Sequence, residues 1–287
     1  MRSLLHCFSL LPLLYLCSAQ WCYQSQYSCD QTCREPSHWY VEFSMCGGRR
    51  QSPINIVTHK VQSNISLGPF IFEGHTDTLN ITVENMGHSA HFDLPPTVRV
   101  SGGGLQSRYK AVQFHFHWGE NAGPGSEHTV DGERYPMELH IVHIKEKYSS
   151  LEEAEKDPEG IALLAFFFEE SSKQNEHFNA LIEALGRVRY HGNTSSIPVF
   201  RMSDLIPAAN ELSSYYRYIG SMTTPGCDEA VIWTVFRQTL PISHKQLVKV
   251  SQQLLFWTGR PMTNIFRPVQ NLNGRTVSGT NSVVNAF

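Results

Sequence analysis

Charge of one sign is what this chain has little of. Its 23 Lys and Arg face 26 Asp and Glu, for a formal net charge of −3 and a pI near 6.5. That balance offers nothing to a polyphosphate backbone, so nucleic acid is excluded as the expected partner. Internal repeats and low-complexity linkers are also absent, and with them the reasons to divide the chain into modules. No apolar run is fit to cross a bilayer: Leu4 to Leu16 is too short and Pro12 interrupts it. At the other end, Ser278-Gly279-Thr280-Asn281-Ser282 has the small residues of a lipid-anchor attachment site, but the apolar tail that should follow is missing before Phe287. Two readings stay open: a soluble form, or a truncated form of an anchored, membrane-associated protein.

What is present begins with an export signal. Arg2 is the basic start, the leucine-rich run follows, and Cys17-Ser18-Ala19 is a small-residue cleavage site. Residues 1–19 are expected to be removed, leaving a secreted, extracellular chain from Gln20. Export favours disulfides. Five cysteines remain after cleavage (Cys22, Cys29, Cys33, Cys46 and Cys227), an odd number whose pairing the residues alone do not assign. Asn64, Asn80 and Asn193 each open an Asn-x-Ser/Thr triplet and are glycosylation candidates. Asn80 also falls in a strand-like stretch, which favours the other two.

Short apolar runs punctuated by Gly, Pro and Asn dominate the rest. Lys110 to Trp118, Glu138 to Lys145, Ile161 to Phe168 and Ala230 to Arg237 read as strands. Ile161 to Phe168 is apolar throughout, as suits a strand buried on both faces. Phe178, Leu181, Ile182 and Leu185 recur at helical spacing with Gly186 as the expected stop. Ser243 is a candidate cap for a second helix carrying Leu247, Val250 and Leu254 on one face. One large sheet with peripheral helices follows.

The chemistry concentrates in Gln113-Phe114-His115-Phe116-His117-Trp118 and Met137-Glu138-Leu139-His140. Side chains alternate along a strand, so His115 and His117 share a face. A hairpin that brings residues 137–142 alongside completes a triangle of neutral nitrogens with His140. Three such ligands and no cysteine form the pattern of a catalytic zinc, which keeps its fourth position for water. An isolated His-x-His is weak evidence and reads more often as two polar positions facing solvent. Gln113 and Glu138 tip the balance, because each lies two residues before a ligand, on its face, where it can accept the proton of the far ring nitrogen. Phe114, Phe116 and Trp118 would bury the opposite face.

Ser126-Glu127-His128-Thr129-Val130, followed by Tyr135 and Met137 to Val142, resembles the signature of the α-class carbonic anhydrases. Gln51 to Asn55, Gly87-His88-Ser89 and Gly220-Ser221-Met222-Thr223-Thr224-Pro225 match other landmarks of that family in the same order, over about Trp21 to Thr276. Cys22, Cys46 and Thr223 to Cys227 look most like its extracellular, lipid-anchored branch. The resemblance implies a catalytic domain over residues 20–276 and a C-terminal tail over 277–287. Its fold would be mainly β (α+β), one domain with a large twisted, largely antiparallel central sheet of about ten strands and a few peripheral helices. The implied activity is reversible hydration of carbon dioxide to bicarbonate and a proton by hydroxide on zinc. One Zn(2+) per chain would be held by His115, His117 and His140. Sulfonamide-type inhibition comes with the family, and nothing calls for more than a monomer.

The same resemblance distributes the remaining roles. Thr223 would accept a hydrogen bond from the hydroxide and donate its own to Glu127, with Thr224 lining the site. Val142, Leu163, Met222, Val231 and Trp233 occupy the carbon dioxide pocket, Leu163 standing where valine is usual and Met222 where leucine is usual. His88 matches the proton shuttle, Tyr23 a residue that orders the cavity waters. Met86 and His91 replace an asparagine and an amide beside that path. Cys46 would pair with Cys227, and Cys22 with Cys33, with Cys29 in place of Cys33 as the alternative. The rival reading is a catalytically impaired carbonic-anhydrase-like binding domain. Such relatives lose zinc histidines, whereas all three stand here. Nothing marks a larger acyl pocket for ester substrates.

Overall fold

The computed structural model describes residues 21–27 and 33–280. The expected export signal at residues 1–19, Cys29 and residues 281–287 lie outside the described residues. Eight strands carry the architecture: β1 (Leu79–Asn85), β2 (Ala90–Asp93), β3 (Tyr109–Trp118), β4 (Met137–Lys145), β5 (Ile161–Ser171), β6 (Thr194–Phe200), β7 (Tyr215–Gly220) and β8 (Val231–Ser243). They lie in the order β6-β1-β2-β3-β4-β5-β8-β7, continued by Ser278–Gly279 and Gln62–Ser63. Phe70–Glu73 and Arg99–Gly102 join from the side and bring this sheet to 12 strands. The expected count of about ten is thus the main path alone, because the side pair carries no strong strand pattern. Pairing is antiparallel except between β5 and β8 and between Ser278–Gly279 and Gln62–Ser63. Ser278–Gly279 pairs with Tyr216–Arg217, and Thr280 is buried.

Alternation along the central strands sorts two cores onto the two faces of the sheet. Phe114, Phe116, Leu139, Ile141, Leu164 and Phe166 enter the larger one, and Val142, Leu163, Ala165, Val231 and Trp233 the smaller. Each buried aromatic removes roughly 150–250 Å² from water, so Phe92, Phe114, Phe116, Phe168 and Phe178 hold β3 rigid from behind.

Two helices pack beside this layer, α1 (Asn179–Arg187) and α2 (His244–Gln253). Ser243 does cap α2: its Oγ accepts from Gln246 N at 3.3 Å, and Gln246 Oε1 accepts from Ser243 N at 3.2 Å. Leu254 is buried but stands just beyond the helix. Gly186 does not stop α1, which ends one residue later. A Cβ at Gly186 would stand 2.8 Å from Gln253 Oε1, so this glycine serves the close approach of α2. Asn80 lies in β1 on its exposed side, Asn193 is exposed at the start of β6, and Asn64 is half-buried with Oδ1 accepting from Ser66 N. Among the described residues no helix is long and apolar enough to cross a membrane.

Candidate metal centre

The hairpin partner of β3 is β4, in a register that places His115 directly opposite His140. Alternation then points His115 and His117 to one face, and the three imidazoles converge with ring centroids 4.6–5.3 Å apart. One nitrogen of each ring is already used. His115 Nδ1 donates to Gln113 Oε1 at 2.9 Å, and His140 Nε2 to Glu138 Oε1 at 2.7 Å. His117 Nδ1 donates to the Ile265 carbonyl at 2.7 Å.

Those three bonds fix the tautomers and leave His115 Nε2, His117 Nε2 and His140 Nδ1 as bare acceptors. The three side chains offer ligand atoms within 4.8 Å of one another, and His117 Nε2 and His140 Nδ1 are buried with no hydrogen-bond partner. Orphaned buried nitrogens cost free energy unless something binds them. A metal ion fits that need. Burial holds His115 well below the ordinary imidazole range, with the neighbouring His117 and His140 adding to the effect. His117 is lowered too, by burial first, so both of these imidazoles are neutral as metal coordination requires.

A second group of metal-ligating types, His128, Glu138 and His140, is already spent on itself. His128 Nδ1 donates to Glu138 Oε1 at 2.6 Å, and His128 Nε2 lies 2.7 Å from the Tyr218 hydroxyl. The backbone N–H groups of Glu127 and His128 donate to Glu138 Oε2 at 2.8 and 2.9 Å. Burial alone would raise the Glu138 carboxyl, but His128 and His140 beside it hold it well below the usual range. Glu138 is thus an ionised anchor for His140.

A cavity of about 140 Å³ opens above the triad, lined among others by Tyr23, His91, Leu163, Met222, Thr223 and Thr224. Val142, Val231 and Trp233 stand behind that wall in the smaller core and are fully buried. Glu127 is held by Arg267 N, which donates to Oε1 at 2.8 Å. Its Oε2 lies 3.5 Å from His117 Nε2 and has no hydrogen-bond partner, so the bond expected from Thr223 is not formed in this arrangement. Tyr23 is buried with an unpartnered hydroxyl, kept neutral by burial and then by the nearby Glu127. A cleft of about 560 Å³ between Val57, Lys60, Gln62 and residues 269–277 has no His, Cys, Asp or Glu in its lining.

His88 lies apart from the cavity lining. Its ring stacks on Trp21 at 3.8 Å, and Nε2 lies 3.1 Å from the Trp21 carbonyl. Burial is the main reason its pKa falls to about 4. Among the described residues the disulfides are Cys22–Cys33 and Cys46–Cys227. Nothing in the sequence marks Ile265, whose contribution is a backbone carbonyl, or the Trp21 stack. His128 sat in plain view within Ser126 to Val130, beside Glu127 and ten residues before Glu138.

The fold carries a histidine triad able to bind a metal ion, and residues 34–281 match the eukaryotic-type carbonic anhydrase family. The chain belongs to that family. It is 41% identical to carbonic anhydrase 4 of Oryctolagus cuniculus over 259 residues, which cover 90% of this chain and 83% of that protein. Carbonic anhydrase 15 of Mus musculus is 40% identical over 279 residues (92% and 84%), and carbonic anhydrase 7 of Homo sapiens 38% over 253 (85% and 94%).

Proposed function

We propose that this chain is a zinc-dependent carbonate dehydratase that interconverts carbon dioxide and bicarbonate at His115, His117 and His140. The observation that carries the reading is the pair of buried, unpartnered nitrogens, His117 Nε2 and His140 Nδ1, turned with His115 toward one point. Zinc bound there supplies a Lewis acid that makes a nucleophile of water at neutral pH. The chain does the rest. Gln113, Glu138 and the Ile265 carbonyl hold the imidazoles in the ligating tautomer, and their neutrality leaves the charge of the dication intact. Thr223 is assigned the hydroxyl that orients the attacking water, with the free Oε2 of Glu127 as its acceptor. Leu163 and Met222 form the apolar wall for carbon dioxide, with Val142, Val231 and Trp233 packed behind it. Thr224 and Tyr23 order the water of the cavity. His88 is the shuttle candidate and has to leave its stack on Trp21 to serve.

The signal-like residues 1–19 and two disulfides support an exported protein, secreted or at the cell surface, because disulfides persist in oxidising compartments. Metal removal tests the catalytic reading. Dialysis against a zinc chelator should abolish carbon dioxide hydration and one equivalent of zinc should restore it. Hydration that survives metal removal would overturn the assignment.

A further inference from the structure

The cavity wall holds two carboxylates that the mechanism above does not use. Glu155 and Asp228 line the same 140 Å³ space as the three histidines, whereas His88 does not. Glu155 ends the helical turn Leu151–Ala154, and Asp228 follows the Thr223–Cys227 segment. Both are half-buried, so each keeps contact with water while facing the interior.

We propose that Glu155, with Asp228 as its positioning partner, accepts the protons that leave this cavity, on a route separate from His88. The proposal rests on the hydration reading. A water of the cavity gives its proton to the Glu155 carboxylate, which becomes a carboxylic acid. That acid then releases the proton to a base in solution and the carboxylate returns. No electron moves and no other reactant is needed.

The electrostatic setting favours this role. Burial raises the proton affinity of Glu155, Asp228 and Glu152 raise it further, and Lys156 opposes them. Glu152 and Lys156 belong to its own turn. Across the cavity stand His91 of β2, His115 and His117 of β3, and His140 of β4. His88 is poorly placed by comparison, stacked on Trp21 and reluctant to take a proton.

Two measurements test the proposal. Carbon-13 NMR of the side-chain carboxyls in the metal-free protein should find Glu155 titrating above the ordinary glutamate value of about 4.3, and Asp228→Asn should lower it. In stopped-flow hydration with little buffer, Glu155→Gln should cut kcat roughly a hundredfold, the low side of what a positioned proton acceptor contributes. Its kcat/KM should stay at the parent value, and added imidazole or Glu155→Asp should recover the loss. An active parent whose kcat ignores Glu155→Gln, or a Glu155 that titrates at the ordinary value, overturns the proposal alone. A zinc-loaded parent that does not hydrate carbon dioxide overturns the hydration reading beneath it.

Discussion

Leu163 is the single side chain with most leverage on the rate of the proposed reaction. It lines the cavity, is 2% exposed, and pairs with Trp233 across β5 and β8. Leucine where the resemblance expects valine adds one methylene to a very small pocket. Leu163→Val should raise kcat/KM a few-fold, since one methylene in an apolar pocket decides roughly 1–3 kcal/mol. An unchanged or lower kcat/KM contradicts the idea. His143 tests another residue-scale claim. It is fully buried, its Nδ1 donates to the Ile141 carbonyl, its Nε2 has no partner, and burial above all lowers its pKa to about 3. The unfolded chain takes that proton near pH 6.5, so stability is level above 6.5 and falls as the pH drops toward 3. At pH 4 the share of that loss due to His143 should reach about 3 kcal/mol. Denaturant titrations at pH 7 and pH 4 check it, and His143→Gln should lose less than the parent. At this scale the convergence of the three histidines was legible, because imidazoles two apart beside an amide and a carboxylate declare their partners. The Ile265 carbonyl was not, since every residue has one.

Among the elements, period-2 alternation made β3 and β4 readable, and their pairing brought His140 to His115 as the pattern requires. The ends of β5 and β8 were harder to see. Both strands continue through polar or turn-like residues, Glu169 to Ser171 against Pro241 to Ser243, which pair because the neighbour is already in register. Gly186 misled for a similar reason: its sequence signal is that of a helix end, but the demand it meets is contact between helices. Phe116 gives the element its test. It is 1% exposed and packs edge-on against Phe92, Phe114 and Phe178. Phe116→Ala should cost about 3–5 kcal/mol in denaturant unfolding and weaken zinc binding along with it, because the strand that aims His115 and His117 loses its backing. Intact zinc affinity in a destabilised variant would mean that the ligands do not depend on that packing.

For the whole molecule, the tie that matters is between the N-terminal segment and the Thr223–Cys227 loop. Cys46 and Cys227 are 181 residues apart in sequence, and Arg267 binds the same region through the Cys46 and Ser52 carbonyls and Gln51 Oε1. Closing so long a loop removes much chain entropy from the unfolded state. Cys46→Ser with Cys227→Ser should cost roughly 2–5 kcal/mol and lower Tm by about 4–15 °C in a domain of this size. Thermal unfolding measures it, and an unchanged Tm would show that Arg267 suffices.

Three buried histidines are proposed here to make this fold a zinc enzyme. Zinc content and stopped-flow carbon dioxide hydration on the same purified sample, parent beside His115→Ala, test it most directly. The parent should carry one zinc per chain and hydrate carbon dioxide rapidly, and His115→Ala should lose both metal and turnover. Stoichiometric zinc without hydration in the parent would contradict the account and leave a metal-binding domain of the same fold.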